Sequence, residues 1–177
     1  MPDASVIDTN VLIVASAADG ASVFPAEGTP VARPEDREAV LSWLTAFERD
    51  DSRHVVLDWH WHLCGEYQNK LHPAQDYGWL VIMAKQDRNQ VAWVGLEVDE
   101  HGHAVLDDPL SSAVTDLADR KMVAAVLAAQ ADGHDCKLIN ACDTDWLDCA
   151  QALGAVGVEV THLLPDWLRE VHAAKRA

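Results

Sequence analysis

Acidic side chains occur in this sequence where the chain is expected to pass from a strand to a helix or a loop. Asp8 interrupts an apolar run at residues 6–13, and Asp143 and Asp145 follow the apolar run at residues 136–140. Three more acids belong to segments with a helical pattern: Glu66, Asp116 and Asp119. Because the ends of parallel strands meet at the sheet edge where such folds bind ligands, we expect the six acids to share one crevice.

The expected chemistry of this crevice is metal-assisted phosphoryl transfer. Several carboxylates close together repel one another and do not all stay ionised without compensation. A hard divalent cation would compensate them, because such cations prefer oxygen ligands and keep water molecules for substrate phosphates. One or two such ions can stabilise the attacking and leaving oxygens of a phosphodiester displacement. No Ser–His or Cys–His arrangement suggests a protein nucleophile.

The segments that must position the acids alternate between strand-like and helix-like patterns. Short apolar runs at residues 6–13, 55–57, 136–140 and 157–161 predict buried strands. Helices are predicted from residue 34, at 63–71, 117–131 and 144–153, and at about 165–175, whereas residues 77–85 fit either element. A β-hairpin around Gly102 is predicted as an insertion at about residues 85–107. The alternation indicates a three-layer α/β/α sandwich with a mostly parallel sheet, formed as a single domain by residues 1–177.

Composition and charge exclude several classes of protein. The 177 residues include 29 acidic and 13 basic ones, and the net charge of −16 disfavours non-specific binding to nucleic acid or anionic lipid. A nucleic-acid substrate would have to bind through a metal and a local basic rim. No run approaches the ~20 apolar residues of a membrane span, and no basic residue precedes the first apolar run as in a signal peptide. With four cysteines that lack metal-finger spacing, the expected location is the cytoplasm.

Four segments together resemble PIN-domain nucleases. VIDTNVLI at 6–13 resembles their opening strand, and VVLDWHWHLCGEYQNKL at 55–71 resembles the strand, turn and glutamate-bearing helix that follow. DLADRKMVAAVLAA at 116–129 and KLINACDTDW at 137–146 are similar to the third and fourth elements. The segments occur in the family's order and span most of the chain.

The resemblance implies a Mg²⁺- or Mn²⁺-dependent endoribonuclease, for which single-stranded RNA is the expected substrate. The residues that match its catalytic, metal-binding acids are Asp8, Glu66, Asp119 and Asp143, with Asp145 as a further ligand. Asn10 matches a polar residue expected to orient water or substrate. Lys70 and Arg120 are predicted to hold the RNA backbone. Many short members are toxins of toxin–antitoxin pairs, so an antitoxin, another protein or a second copy of the chain is the expected partner.

Two alternatives remain open at this point. Ala141 stands where the family usually has threonine or serine, so the chain could be a catalytically degenerate domain that binds or scaffolds a partner. DTDWLD at 143–148 is loosely similar to the last motif of haloacid-dehalogenase-like phosphatases. Their nucleophile motif has a second aspartate at the position of Asn10, which disfavours this class.

The segment DWHWH at residues 58–62 combines tryptophan and histidine. His60 and His62 could bind zinc only with a third converging ligand, so a turn between strand and helix is the preferred interpretation. Single-stranded RNA can stack on aromatic rings, but core packing explains most of the seven tryptophans, with Trp43 and Trp93 as candidates for an interface.

Overall fold

Five parallel strands form one sheet at the centre of a computed structural model that describes residues 2–177. The strands are β1 (Asp3–Ile7), β2 (Arg53–Asp58), β3 (Val91–Val94), β4 (Asp135–Asn140) and β5 (Val160–His162). Their order across the sheet is β3-β2-β1-β4-β5, and every neighbouring pair is parallel. The central β1 is buried at all four residues after Asp3, as expected for a strand covered on both faces.

Helices complete the three-layer α/β/α sandwich, which confirms the predicted fold class. Their bounds are α1 (Thr9–Ala18), α2 (Pro34–Arg49), α3 (His62–Gln68), α4 (Tyr77–Asp87), α5 (Leu110–Ala113), α6 (Leu117–Ala131), α7 (Asp145–Asp148), α8 (Ala150–Ala155) and α9 (Pro165–Arg176). Helices α1, α2 and α4 pack on one another, whereas α6 packs against β1, β2, β3 and β4. No helix within residues 2–177 combines the length and the apolar character needed to cross a membrane.

The prediction of one strand at residues 6–13 is wrong. The strand β1 ends at Ile7, and α1 begins at Thr9 with Asp8 as its N-cap. Half of the ten residues of α1 are buried and none is exposed, so residues 11–15 form an unbroken apolar run. Such a run has the same pattern in a buried strand and in a buried helix, and periodicity cannot separate them.

The predicted hairpin is confirmed only in its short central part. A single antiparallel bridge joins Val98 to Ala104 around the turn at Gly102, where φ is +78°. Residues 91–94 belong instead to the parallel sheet as its edge strand β3, and residue 85 lies in α4. The predicted helix at 144–153 is divided into α7 and α8, while the helix predicted at 117–131 has those bounds.

Two buried contacts fix the position of α4. The Gly78 backbone N–H donates to Ser16 Oγ at 2.9 Å, and a Cβ at residue 78 would lie 2.6 Å from Leu12 Cβ and from its carbonyl oxygen. Farther along, the fully buried Lys85 ammonium donates to the carbonyl oxygens of Asp50 and Arg53, each at 2.8 Å. These contacts hold α4 against α1 and against the loop that enters β2.

Candidate metal centre

Three aspartates from separate parts of the chain meet at the carboxyl edge of the sheet. Asp8 follows β1, Asp143 follows β4, and Asp119 lies in the first turn of α6. One carboxylate oxygen from each lies within 4.8 Å of the other two. Because β1 and β4 are neighbours, their carboxyl ends coincide, and the backbone N–H of Asp8 donates to the carbonyl of Ile139 at 3.0 Å.

Asp8 is the most enclosed of the three. Its exposed fraction is 6%, and its Oδ2 accepts a hydrogen bond of 2.6 Å from the indole Nε1 of Trp146. Burial raises the pKa of Asp8 to about 7, and the nearby Asp143 adds to this rise, although the Trp146 hydrogen bond lowers the pKa. Trp146 therefore orients Asp8 and favours its charged form.

The other two carboxyls also have raised pKa values. Burial, together with the negative charges of Asp8 and Asp143, raises the pKa of Asp119 to about 8. Burial likewise raises the pKa of Asp143, although the hydrogen bond that its carboxylate accepts from the backbone N–H of Asp145 at 2.9 Å lowers it. A divalent cation would supply the missing positive charge, and three carboxylate oxygens are the ligands it prefers, so the residues fit Mg²⁺ or Mn²⁺.

A pair of asparagines joins the ends of β1 and β4. Asn10 donates from Nδ2 to Asn140 Oδ1 at 3.0 Å, and its Oδ1 accepts from the backbone N–H groups of Ala141 and Cys142 at 2.8 and 3.2 Å. Asn140, fully buried, donates to the carbonyl of Asp143 and accepts from its N–H. The predicted role of Asn10 in orienting water or substrate stays a prediction. The contacts of its side-chain oxygen Oδ1 shape the loop that carries Asp143.

Glu66 lies at the same cavity but outside the cluster of three aspartates. Its Oε1 accepts a hydrogen bond of 2.5 Å from Lys121 Nζ, which forms an ion pair. The next residue, Tyr67, is fully buried and donates from its hydroxyl to the carbonyl of Ile7 at 2.6 Å, which anchors α3 to β1. Glu66 is therefore not among the three carboxylates that meet, and its predicted part in holding the metal, directly or through water, stays a prediction.

A cavity of about 390 Å³ opens beside the aspartates. Six of the eight predicted site residues line it, namely Asp8, Asn10, Glu66, Lys70, Asp119 and Asp143. Asp116 lines it too, and caps α6 by accepting from the N–H groups of Ala118 and Asp119 at 2.8 and 3.2 Å.

Two predicted site residues do not line this cavity. Arg120 instead donates to the carbonyls of Val114 and Ser111 at 2.8 and 2.6 Å, because one step along α6 from Asp119 turns its side chain toward that segment. Asp145 is exposed at the start of α7, and only its backbone N–H contacts Asp143. The prediction that Arg120 holds the RNA backbone is not supported by this position.

Residue types alone gave weak signals for three residues that organise the site. Trp146 is the aromatic residue three positions after Asp143, but nothing in the sequence indicates that it donates to Asp8. Asn140 ends an apolar run, which is the one available sign of a buried polar role. Lys121 is a basic residue next to Arg120, and the helical rotation between them decides which one reaches the cavity.

No protein-family model, curated protein or solved structure matches this chain.

Proposed function

We propose that this protein is a divalent-metal-dependent endoribonuclease of the PIN-domain type, which hydrolyses phosphodiester bonds of single-stranded RNA in the cytoplasm. The observation that carries the proposal is the meeting of Asp8, Asp119 and Asp143 within 4.8 Å. These residues belong to three of the four segments that resemble the family, and they are separated by up to 135 positions in the chain.

The aspartates would hold Mg²⁺ or Mn²⁺, and the surrounding residues keep them in place. Trp146 orients Asp8, while Asn10 and Asn140 shape the loop that ends in Asp143. When bound, the cation would lower the pKa of a water molecule and neutralise charge on the phosphoryl oxygens.

Two lysines are suited to bind the substrate phosphate. Lys70 lines the cavity, and Lys121 lies at its edge through its ion pair with Glu66. Their positive charges would offset the repulsion between a polyanion and a chain whose net charge is −16. Glu66 keeps Lys121 in position, so its expected role is to position a basic side chain rather than to bind metal directly.

Ala141, which stands where PIN-domain nucleases usually have threonine or serine, does not contribute to the surface of the cavity. Ala141 is fully buried and is not among the residues that line the cavity. Because this residue lies outside the lining of the cavity, the acids and lysine that line it are kept in this chain, which favours the enzyme over the degenerate binding domain. The contacts of Asn10 with the loop after β4 likewise give no support to a phosphatase, which requires a second acid there.

The experiment that tests the proposal is cleavage of a labelled single-stranded RNA in Mg²⁺ or Mn²⁺, with and without EDTA. We expect endonucleolytic products that EDTA abolishes. The rate of cleavage should fall at least 100-fold in Asp143→Asn, which is the order of magnitude expected when one electrostatic interaction at a reacting centre is removed. Glu38→Gln, on the exposed face of α2, is the matched control and should cleave normally. Equal cleavage by Asp143→Asn and the native protein would exclude the mechanism.

A second experiment addresses the role as a toxin. Expression of the native chain should arrest growth of the host, and Asp8→Asn should relieve the arrest at an equal protein level. Growth arrest that persists in Asp8→Asn would separate toxicity from the carboxylate site.

A further inference from the structure

Two tryptophans project from the turn between β2 and α3, at the edge of the sheet that carries the aspartates. Trp59 is 62% exposed and Trp61 is 41% exposed. Within residues 2–177, they are the only aromatic residues among the large apolar side chains that are strongly exposed. The indole of Trp59 stacks on that of Trp93, with ring centroids 4.9 Å apart and planes 17° from parallel. Trp59 is the more exposed member of this stack, since Trp93 is partly buried.

The turn that holds these rings is braced from below. Asp58 is 1% exposed, and its carboxylate accepts from the backbone N–H groups of His60, His62 and Leu63 at 2.8 to 3.1 Å. Trp61 has a φ of +63°, a left-handed conformation that costs a bulky residue about 1 kcal/mol or more. The strain and the exposure are retained together, as they are at ligand-binding sites.

Helix α3 connects this turn to the cavity. Trp61 is the N-cap of α3, and Glu66, five residues later, lines the cavity. At about 1.5 Å per residue, the axial separation is about 8 Å. Stacked bases are about 3.4 Å apart along a strand, so roughly two or three nucleotides would bridge the two places.

We propose that Trp59, Trp61 and Trp93 form a stacking platform for unpaired bases of the RNA whose phosphate reaches the aspartates. This proposal rests on the proposed function. It explains how a chain with a net charge of −16, whose cavity is lined by one lysine and several acids, holds a polyanion. Stacking on an aromatic face needs no positive charge and tolerates any base, because every base has a π-face.

The proposal is tested by fluorescence anisotropy in EDTA with labelled oligouridine of about eight nucleotides. A fully abasic oligomer of the same length and charge is the second probe. We expect the native protein to bind oligouridine at least tenfold more tightly than the abasic oligomer, and Trp59→Ala and Trp61→Ala each to weaken oligouridine binding about tenfold. Leu80 on α4 is also apolar and 43% exposed, so Leu80→Ala is the matched control and should bind oligouridine as tightly as the native protein does.

The salt dependence gives an independent measurement. If Lys70 and Lys121 are the two lysines that contact phosphates, the slope of log K against log salt concentration should be close to −1.4. A slope of −4 or steeper would mean that phosphate contacts dominate, and would overturn the platform. Equal affinity for the two probes, or no binding of oligouridine by the native protein, would also overturn it.

Further controls separate folding and catalysis from stacking. If Trp59→Ala does not fold, Trp59→Phe should retain a reduced preference for oligouridine over the abasic oligomer, whereas no preference in a folded Trp59→Phe would contradict the proposal. Binding that depends on Trp59 without metal-dependent cleavage supports the platform and rejects the nuclease. Cleavage with an unchanged KM in Trp59→Ala supports the nuclease and rejects the platform.

Discussion

Neutralising Asp119 should stabilise the metal-free protein, because this carboxyl is buried close to two others. Its pKa rises from 3.8 to about 8 in the folded protein, so the folded state binds the proton more tightly than the unfolded state does. The contribution of Asp119 to stability is then greatest below about pH 4 and falls as the pH rises toward 8. Between pH 3.8 and 7 the unfolded chain ionises this carboxyl while the folded protein keeps its proton, which at 1.36 kcal/mol per pH unit lowers stability by about 4 kcal/mol.

The substitution Asp119→Asn removes this loss but keeps a polar amide that must also be desolvated. We therefore expect Asp119→Asn to gain about 2 to 4 kcal/mol near pH 7, which corresponds to a rise in Tm of about 5 to 10 °C. Near pH 4 the gain should disappear, since the native carboxyl is then protonated in the folded protein and half protonated in the unfolded chain. Millimolar Mg²⁺ or Mn²⁺ should raise the Tm of the native protein and leave that of Asp119→Asn nearly unchanged.

The assay is thermal unfolding followed by circular dichroism at both pH values, with EDTA and with each metal. Asp116→Asn is the matched control, because this exposed acid lines the same cavity and asparagine caps a helix as well as aspartate does. A lower Tm for Asp119→Asn near pH 7 in EDTA, or an equal gain at both pH values, would refute the electrostatic reasoning.

Three further substitutions test contacts around the site and in the core. Trp146→Phe removes the hydrogen bond to Asp8, so the pKa of Asp8 should rise further and the pH at which Mn²⁺ binds half-maximally, measured by titration, should move upward. Lys85→Met removes the ammonium that donates to the carbonyl oxygens of Asp50 and Arg53, and should cost about 2 to 4 kcal/mol in urea unfolding, with metal affinity unchanged. Gly78→Ala places a Cβ 2.6 Å from Leu12 and should cost about 3 kcal/mol or more by the same measurement.

Each of these substitutions has an outcome that contradicts its reasoning. An unchanged pH dependence of Mn²⁺ binding in Trp146→Phe would mean that the indole does not affect the charge of Asp8. Lys85→Arg keeps a buried donor and serves as the comparison for Lys85→Met. If Lys85→Met were as stable as the native protein, the hydrogen bonds of the ammonium would not contribute to stability. Gly65→Ala, where a Cβ meets nothing within 4 Å, is the control for Gly78→Ala, and equal effects of the two would exclude the steric explanation.

The elements that were predicted well are those with a complete local signal. Helix α6 has an N-cap at Asp116, an inward-facing stripe and a polar end, and its predicted bounds at 117–131 are those observed. The run at 6–13 lacks such a signal, because no residue of α1 is exposed and its apolar residues have no helical period. Residues 91–94 were assigned to a hairpin because four residues carry no information about the strand with which they pair.

The chain's own residue types determined the donor chemistry of the candidate site, since carboxylates among apolar residues at segment ends favour a hard cation wherever they converge. Tertiary structure alone decided which acids meet. Asp8, Asp119 and Asp143 come together because β1 lies beside β4 and α6 begins above them, whereas Glu66 contacts Lys121 instead. The rotation of α6 likewise directs Lys121 to the cavity edge and Arg120 away from it. Residue identity is local information, but distances between side chains far apart in the chain depend on the packing of the whole sheet and its helices.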